Sequence, residues 1–228
     1  ADVETSTKMF NKFDEHFSKN SFSGKRINFG VREHAMGAIA NGICLFGGMM
    51  SYASCFLAFV DFLKPAIRMS CLMNLPVLYV FTHDNYFYGE NGPTHQPVEQ
   101  IVSLRATPNL SVFRAYNDAE LKACYTYFLQ CKKPTCLLFS RAKYDYLTTQ
   151  VKDALKGGYV LKKFEGKRKI TLIATGSDVY NALKVAEILS KHNIGTKVVS
   201  MPCVELFEQQ DETYKKSVIG KHAKVFTL

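Results

Sequence analysis

Short apolar runs alternate with longer segments of helical period along the first part of the chain. The runs bounded by turn residues predict buried strands, and they are RINFGV, GGMMSYAS, PVLYVF, LSVFRAY and PTCLLFSRA. The segments between them predict helices, and they are REHAMGAIANGICLF, CFLAFVDFLKPAIRMSCLM, PVEQIVSLRAT and NDAELKACYTYFLQCKK. This alternation is typical of an α/β fold in which helices flank a mostly parallel sheet. We therefore predict such a domain over residues 1–148.

The pattern weakens over residues 149–168 and then resumes. We interpret the weak stretch as a connector with one or two short elements. Beyond it, ITLIATG, TKVVSMP and AKVFTL predict parallel strands, and SDVYNALKVAEILSKH and FEQQDETYKKSVIG predict helices. Because a sheet of three strands is small for a domain, residues 169–228 predict a second α/β domain that is incomplete.

Composition indicates a globular protein and excludes several classes. Apolar residues make up 47% and charged residues 21% of the 228 positions, and the apolar runs are too short to span a bilayer. The first residues, ADVETSTKMF, lack the pattern of a signal peptide and an initiator Met, which predicts a cut chain. The seven cysteines include no CxxC pair and lie mostly in apolar runs, which favours reduced thiols in a cytoplasmic protein.

The net charge of +9 is spread along the chain, with KFEGKRK as the one dense basic cluster. A nucleic-acid-binding protein would concentrate this charge, so we predict no nucleic-acid partner. Anionic substrates are compatible with the surplus, although charge of this kind argues mainly for solubility and steering.

The loop THDNYFYGENGPTHQP follows a strand and combines His83 and His95 with acidic, amide, glycine and proline residues. In an open α/β sheet, ligands bind beyond the carboxyl ends of the strands. Three interpretations remain open: a metal site, a solvated polar turn, or a site for a polyhydroxylated or phosphorylated substrate. The metal interpretation lacks a third ligand at a recognisable spacing.

Three further patterns allow both a structural and a functional interpretation. Glu33, in GVREHAMG, either interacts with the helix dipole in the first turn or exchanges a proton with a ligand nitrogen. Phe56, Phe59 and Phe62 form either a core stripe or a pocket for a flat heteroaromatic ring. Ser177, in ATGSDVY, is better explained as a helix cap than as a phosphate-binding residue.

Taken together, these stretches resemble the transketolase family. The segments FGVREHAMGAI, THDNYFYGENGPTHQPVEQ, LSVFRAYNDAE, IATGSDV and VVSMPCVELFEQQ occur in the family's order and spacing. The resemblance covers essentially the whole chain, and VREHAMG with GPTHQP is its most specific part. Deoxyxylulose-phosphate synthase and the pyruvate dehydrogenase beta subunit share the domain plan but fit these motifs less well.

The resemblance implies that the chain binds thiamine diphosphate through the pyrimidine-binding domain of the family. Glu33 matches the carboxylate that protonates the pyrimidine nitrogen, and Phe56, Phe59 and Phe62 match the aromatic pocket around that ring. Asp2 matches an aspartate near the thiazolium ring.

The resemblance also implies a sugar phosphate site. His83 matches a residue at the substrate's hydroxyl or phosphate end, and His95 matches one that contacts the donor's first hydroxyl group. Arg141 and Ser6 match groups that contact the phosphate. Asn91 stands where the family usually has an Asp that contacts a substrate hydroxyl, which leaves the sugar preference open.

The implied activity is the reversible transfer of a two-carbon ketol unit from a ketose phosphate to an aldose phosphate, as in the pentose phosphate pathway. In the family, the diphosphate and Mg²⁺ (or Ca²⁺) are held by another half, and the active site forms between the subunits of a homodimer. The sequence contains no GDG followed by Asn at metal-binding spacing, so we expect no metal site in this chain and no activity from it alone. Two alternatives are a dihydroxyacetone synthase-like enzyme and a non-catalytic assembly subunit.

Overall fold

Two four-stranded sheets organise the described part of the chain. The computed structural model describes residues 15–85, 92–141, 143–220 and 224–228. In the first sheet the strand order is β1-β2-β4-β3, and every described pairing is parallel. Its strands are β1 (Ser51–Phe56), β2 (Val77–Thr82), β3 (Ser111–Arg114) and β4 (Thr135–Leu138). The mostly parallel sheet predicted from the sequence is confirmed.

Helices cover both faces of the first sheet. They are α1 (Glu33–Phe46), α2 (Val60–Met73), α3 (Gln100–Arg105) and α4 (Asp118–Cys131). The central strand β2 shows why two layers are needed, because its side chains alternate between two buried clusters. Tyr79 and Phe81 pack with residues of α1 and α2, whereas Leu78 and Val80 pack with residues of α4. A strand buried on both faces is therefore apolar at almost every position.

The second sheet has the order β5-β7-β6-β8. Its strands are β5 (Tyr159–Phe164), β6 (Arg168–Ala174), β7 (Ile194–Ser200) and β8 (Lys224–Thr227). Its helices are α5 (Val151–Ala154), α6 (Asp178–Lys191), α7 (Val204–Glu208) and α8 (Glu212–Ile219). Strands β6, β7 and β8 are parallel as predicted, but β5 pairs antiparallel with β7. The sheet thus has four strands where the sequence predicted three.

Three elements differ from the sequence-based expectations. The run RINFGV forms no strand in the described structure; Arg26 makes an isolated bridge with His16 instead. The segment CFLAFVDF was predicted to be helical from its start, but Cys55 and Phe56 end β1 because they pair with β2. A 3-10 turn at Leu57–Phe59 then leads into α2. The last predicted helix is divided into α7 and α8, and the Asp211 side chain caps the second one.

A buried carboxyl group joins two units of the structure, the first sheet with helices α1–α4 and the second sheet with helices α5–α8. Glu120 of α4 is fully buried and accepts hydrogen bonds from the Tyr159 hydroxyl at 2.8 Å and the Ser200 hydroxyl at 2.5 Å. Its other oxygen accepts from the Tyr116 amide at 2.6 Å. Burial raises the pKa of Glu120, and the three hydrogen bonds oppose that shift. Because buried polar groups are costly without partners, this set of contacts favours one arrangement of the two units.

Two glycines of α1 provide a test of how tightly α1 packs on α2. A Cβ on Gly37 would lie 2.4 Å from Leu63 Cδ1 and 2.8 Å from Ala66 Cβ, whereas a Cβ on Gly42 would have no neighbour within 4 Å. We expect Gly37→Ala to lower the free energy of unfolding by about 1–2 kcal/mol through overpacking. Gly42→Ala should raise it by up to ~1 kcal/mol through helix propensity. Urea denaturation of both variants checks this, and equal effects would contradict the close helix contact.

Candidate functional site

Four rings meet beyond the carboxyl ends of β1 and β2. Phe56 ends β1, Phe59 ends the 3-10 turn, and His83 and His95 belong to the loop after β2. The Phe56 centroid lies 3.8 Å from that of His83 and 6.0 Å from that of Phe59, with which it is stacked. The His95 ring meets Phe59 edge-on at 5.1 Å. We call these four side chains the ring cluster; all four were candidate site residues in the sequence.

His83 occupies a strained backbone conformation directly after β2. Its φ is +62°, a value that non-glycine residues adopt rarely and at a cost of about 1–3 kcal/mol. The side chain is only 8% exposed, and its Nδ1 lies 2.9 Å from Thr82 Oγ1. The following amide, of Asp84, donates to the Phe139 carbonyl at 3.2 Å. The Thr82 hydroxyl and the Asp84 amide thus hold the His83 turn on both sides.

His95 is oriented by its own turn. Its amide donates to the Gly92 carbonyl at 3.3 Å, and its Nδ1 lies 2.8 Å from Thr94 Oγ1. Gly92 has a φ of +64°, which glycine adopts without strain. With Nδ1 engaged by Thr94, the Nε2 of His95 is the nitrogen available to a ligand. Each histidine of the ring cluster therefore has its Nδ1 beside the hydroxyl of the threonine that precedes it.

Glu33 lies at the same edge of the sheet as the ring cluster. Gly37 packs on Leu63, and one turn later the Asn41 amide donates to the Ala66 carbonyl at 2.8 Å, so α1 and α2 run in the same direction. Glu33 precedes Gly37 by one turn, roughly 6 Å at the helical rise per residue. It therefore lies beside the start of α2. Its side chain is 5% exposed, and the N-terminus of α1 favours its negative charge.

The structure does not join every candidate residue to the ring cluster. Phe62 is 64% exposed in the first turn of α2, and Arg141 is exposed three residues after β4 ends. Among the described residues, no ring contact links Phe62 to the cluster. The candidates Asp2, Ser6 and Asn91 lie outside the described residues.

Sequence reasoning missed a buried ion-pair network behind His83. The Nε of Arg114, at the end of β3, lies 2.6 Å from Asp84 Oδ2, and its Nη1 lies 2.5 Å from Asp178 Oδ2. Beside it, the Asn85 amide donates to Ser177 Oγ at 2.6 Å. The signal was an arginine at the end of the apolar run LSVF, since a charge at that place usually has a partner.

The turn ATGSDVY also differs from its predicted role. Ser177 occupies the N-cap position of α6, but its side chain makes no capping hydrogen bond in the described structure. The hydroxyl accepts from Asn85 instead, so this turn contacts the loop that follows β2.

The described residues contain neither a metal-binding cluster nor a membrane-spanning helix. No group of three or more His, Cys, Asp or Glu side chains there could hold a metal ion. Within the same residues, no helix has the length and hydropathy needed to cross a membrane.

Two family models match the chain. Residues 1–145 match the model described as "Transketolase, pyrimidine binding domain", and residues 157–228 match "Transketolase-like TK C-terminal domain". Among curated relatives, a transketolase of Halalkalibacterium halodurans is 45% identical over 96% of this chain and 34% of its own length. A transketolase of Aquifex aeolicus is 42% identical over 96% of this chain and 32% of its own length. The chain therefore spans about a third of these relatives.

Solved structures agree in fold. A Pichia stipitis transketolase in complex with sedoheptulose 7-phosphate has a TM-score of 0.89 and 38% identity, over 95% of this chain and 33% of its own. A structure described as a split gene transketolase, an inactive beta4 tetramer, has a TM-score of 0.71 and 25% identity. It covers 92% of this chain and 69% of its own.

The ring cluster and Phe62 differ in packing, and substitution should show it. Phe56 contacts three rings of the cluster, whereas Phe62 is largely exposed. We expect Phe56→Ala to lower the free energy of unfolding by about 1–3 kcal/mol, less than the ~3–5 kcal/mol of a fully buried Phe. Phe62→Ala, the matched control, should change it by less than about 0.5 kcal/mol. Thermal or urea unfolding checks both variants. If they lower the free energy of unfolding equally, Phe62 packs against the core and the expected difference is wrong.

Proposed function

We propose a function from one premise: the chain belongs to the transketolase family. We infer that it supplies the pyrimidine-binding and C-terminal parts of a thiamine-diphosphate-dependent transketolase. That enzyme would move a two-carbon ketol unit reversibly from a ketose phosphate to an aldose phosphate. The observation that supports this best is the ring cluster at the carboxyl edge of the first sheet, with buried Glu33 at the same edge.

The residues present fit the pyrimidine end of thiamine diphosphate. Phe56 and Phe59 are partly buried and offer apolar surface to a flat ring. Phe62, which is exposed on α2, remains a candidate for the same pocket by resemblance alone. Glu33 would hold or release a proton at a ring nitrogen. When bound, the cofactor supplies the carbanion chemistry, which this chain's side chains cannot supply themselves. Asp2 remains a candidate near the thiazolium ring by resemblance alone.

The residues beyond β2 and β4 fit a sugar phosphate. The imidazole rings of His83 and His95 would bind or protonate hydroxyl oxygens of the sugar. Arg141, exposed after β4, would bind the phosphate as a charged fork. The Pichia stipitis complex with a sugar phosphate supports this substrate class. Ser6 and Asn91 are kept as substrate contacts by resemblance.

An exposed apolar face supports a further proposal about assembly. The outer surfaces of α1 and α2 expose large apolar side chains: Ile39, Leu45, Phe46, Phe62, Met69 and Leu72. Faces of this kind mark interaction sites. We infer that this face packs against a diphosphate-binding half that also holds Mg²⁺ (or Ca²⁺), within a homodimer whose active site lies between subunits. We place the enzyme in the cytoplasm, in the pentose phosphate pathway.

The relatives favour ketol transfer over the two alternatives. The curated relatives described above are named transketolases, rather than dihydroxyacetone synthases or assembly subunits. The split gene transketolase that resembles this chain is described as inactive, which is in keeping with a chain that needs a second half.

Glu33→Ala tests the cofactor role in the complete protein. Loss of the carboxylate removes a proton partner, and such groups contribute roughly 10²–10⁴-fold, so we expect kcat to fall by that amount at saturating thiamine diphosphate. Glu33→Gln, which keeps the shape, should fall as far. The control Glu187→Gln, on the surface of α6, should leave kcat unchanged. Near-normal turnover of Glu33→Ala would remove Glu33 from the reaction.

Arg141→Ala tests the phosphate contact. A charged hydrogen bond contributes about 1.5–3 kcal/mol, so KM for ribose 5-phosphate should rise about 10- to 100-fold. KM for glycolaldehyde, which has no phosphate, should barely change. Lys143→Ala removes an exposed charge two residues away and controls for general attraction. Equal losses for both acceptors, or for both variants with the phosphate, would contradict a specific contact by Arg141.

A further inference from the structure

The buried guanidinium of Arg114 lies between carboxylates of two different units. Its Nε contacts Asp84, two residues after β2 ends, and its Nη1 contacts Asp178, in the first turn of α6. Nη1 also donates to the Thr175 carbonyl at 3.0 Å. The Arg114 and Asp84 side chains are almost inaccessible to solvent, with 6% and 1% exposed. The contacts of this guanidinium are directional, because the planar group presents its N–H donors at fixed angles.

The backbone holds Arg114 on the side of the second unit. Its amide donates to the Pro202 carbonyl at 2.8 Å, and its carbonyl accepts from the Gly176 amide at 3.1 Å. Gly176 has a φ of +56°, and a Cβ there would lie 2.6 Å from Arg114 Cγ. The guanidinium therefore has little freedom to leave its two carboxylates.

Asp84 transmits this constraint to the ring cluster. It directly follows His83, whose left-handed conformation is strained and needs support from its surroundings. The amide of Asp84 donates a hydrogen bond to the Phe139 carbonyl, and its Oδ2 accepts one from Arg114 Nε. Its Oδ1 has no hydrogen-bond partner among the described residues, so Arg114 is the side-chain contact that holds the carboxyl group there. Burial raises the pKa of Asp84, and the nearby Arg114 charge opposes that shift.

We propose that Arg114 is a positioning residue: through Asp84 it holds the His83 turn, and through Asp178 the second unit supports the same turn. The inference rests on the proposed function only for its kinetic consequence. Arg114 touches neither substrate nor cofactor in this proposal. It acts on the reaction through the placement of His83, where small misplacements are costly.

A double-mutant cycle in the complete protein separates positioning from general stability. Arg114→Lys keeps the charge but loses the fork, and we expect kcat/KM for ribose 5-phosphate to fall roughly tenfold. In a His83→Ala background the same substitution should cost less than about twofold, because its effect acts through His83. Equal losses in both backgrounds, or none in the first, would overturn the proposal.

Two variants of α6 extend the cycle. Asp178→Asn leaves the Asp84 contact in place and removes the charge supplied by the second unit. It should therefore lower kcat/KM by a smaller factor than Arg114→Lys, and this loss should likewise shrink in the His83→Ala background. It carries the test if Arg114→Lys does not fold. Glu187→Gln breaks an exposed ion pair with Lys184 on the same helix and should change kcat/KM in neither background.

Amide hydrogen exchange of the complete protein tests the inference without activity. Exchange at Asp84 should be faster in Arg114→Lys and in Asp178→Asn than in the unchanged protein or in Glu187→Gln, since the Asp84–Phe139 hydrogen bond is loosened. If neither substitution changes the exchange rate of the Asp84 amide, Arg114 is not a positioning residue. If the unchanged protein shows no ketol transfer, the proposed function fails, and the exchange result still decides this inference.

Discussion

Parallel pairing of the first four strands sends all their carboxyl ends to one edge of the sheet. Phe56, His83 and Arg114 lie at or just beyond these ends. The helices return antiparallel to the strands, so the first turn of α1, with Glu33, reaches the same edge. The site is thus a consequence of strand direction, since residues from separate strands meet there although they lie far apart in the sequence.

Much of this arrangement could be predicted, because buried parallel strands and amphipathic helices leave strong periodic patterns. Strand β5 was missed since YVLKKF lies at a sheet edge, where lysines interrupt the apolar pattern. The run RINFGV has a strand-like composition, but in the described structure it pairs with no strand of either sheet. Composition records the preference of a segment, whereas a strand also needs a neighbour with free backbone groups.

The candidate site likewise has a part that could be predicted from local sequence patterns and a part that could not. The ring cluster joins residues that the sequence had already singled out, because the regularly spaced phenylalanines of CFLAFVDF and the histidines of the loop after β2 are conspicuous. The contacts of Arg114 were not foreseeable, since Asp84 and Asp178 lie 30 and 64 residues away along the chain. Local patterns carry no information about which charges will be buried together, and so the support of His83 became visible only in three dimensions.

Gly176 shows how far the requirements of the site extend. It lies in the second unit, but the absence of a side chain there is what lets the turn before α6 approach Arg114. Its positive φ adds a second, independent reason for glycine. Substitution at this position is therefore limited by a contact with the first unit. In its tolerance of substitutions, Gly176 should resemble the residues of the first sheet more than those of the second unit, to which it belongs.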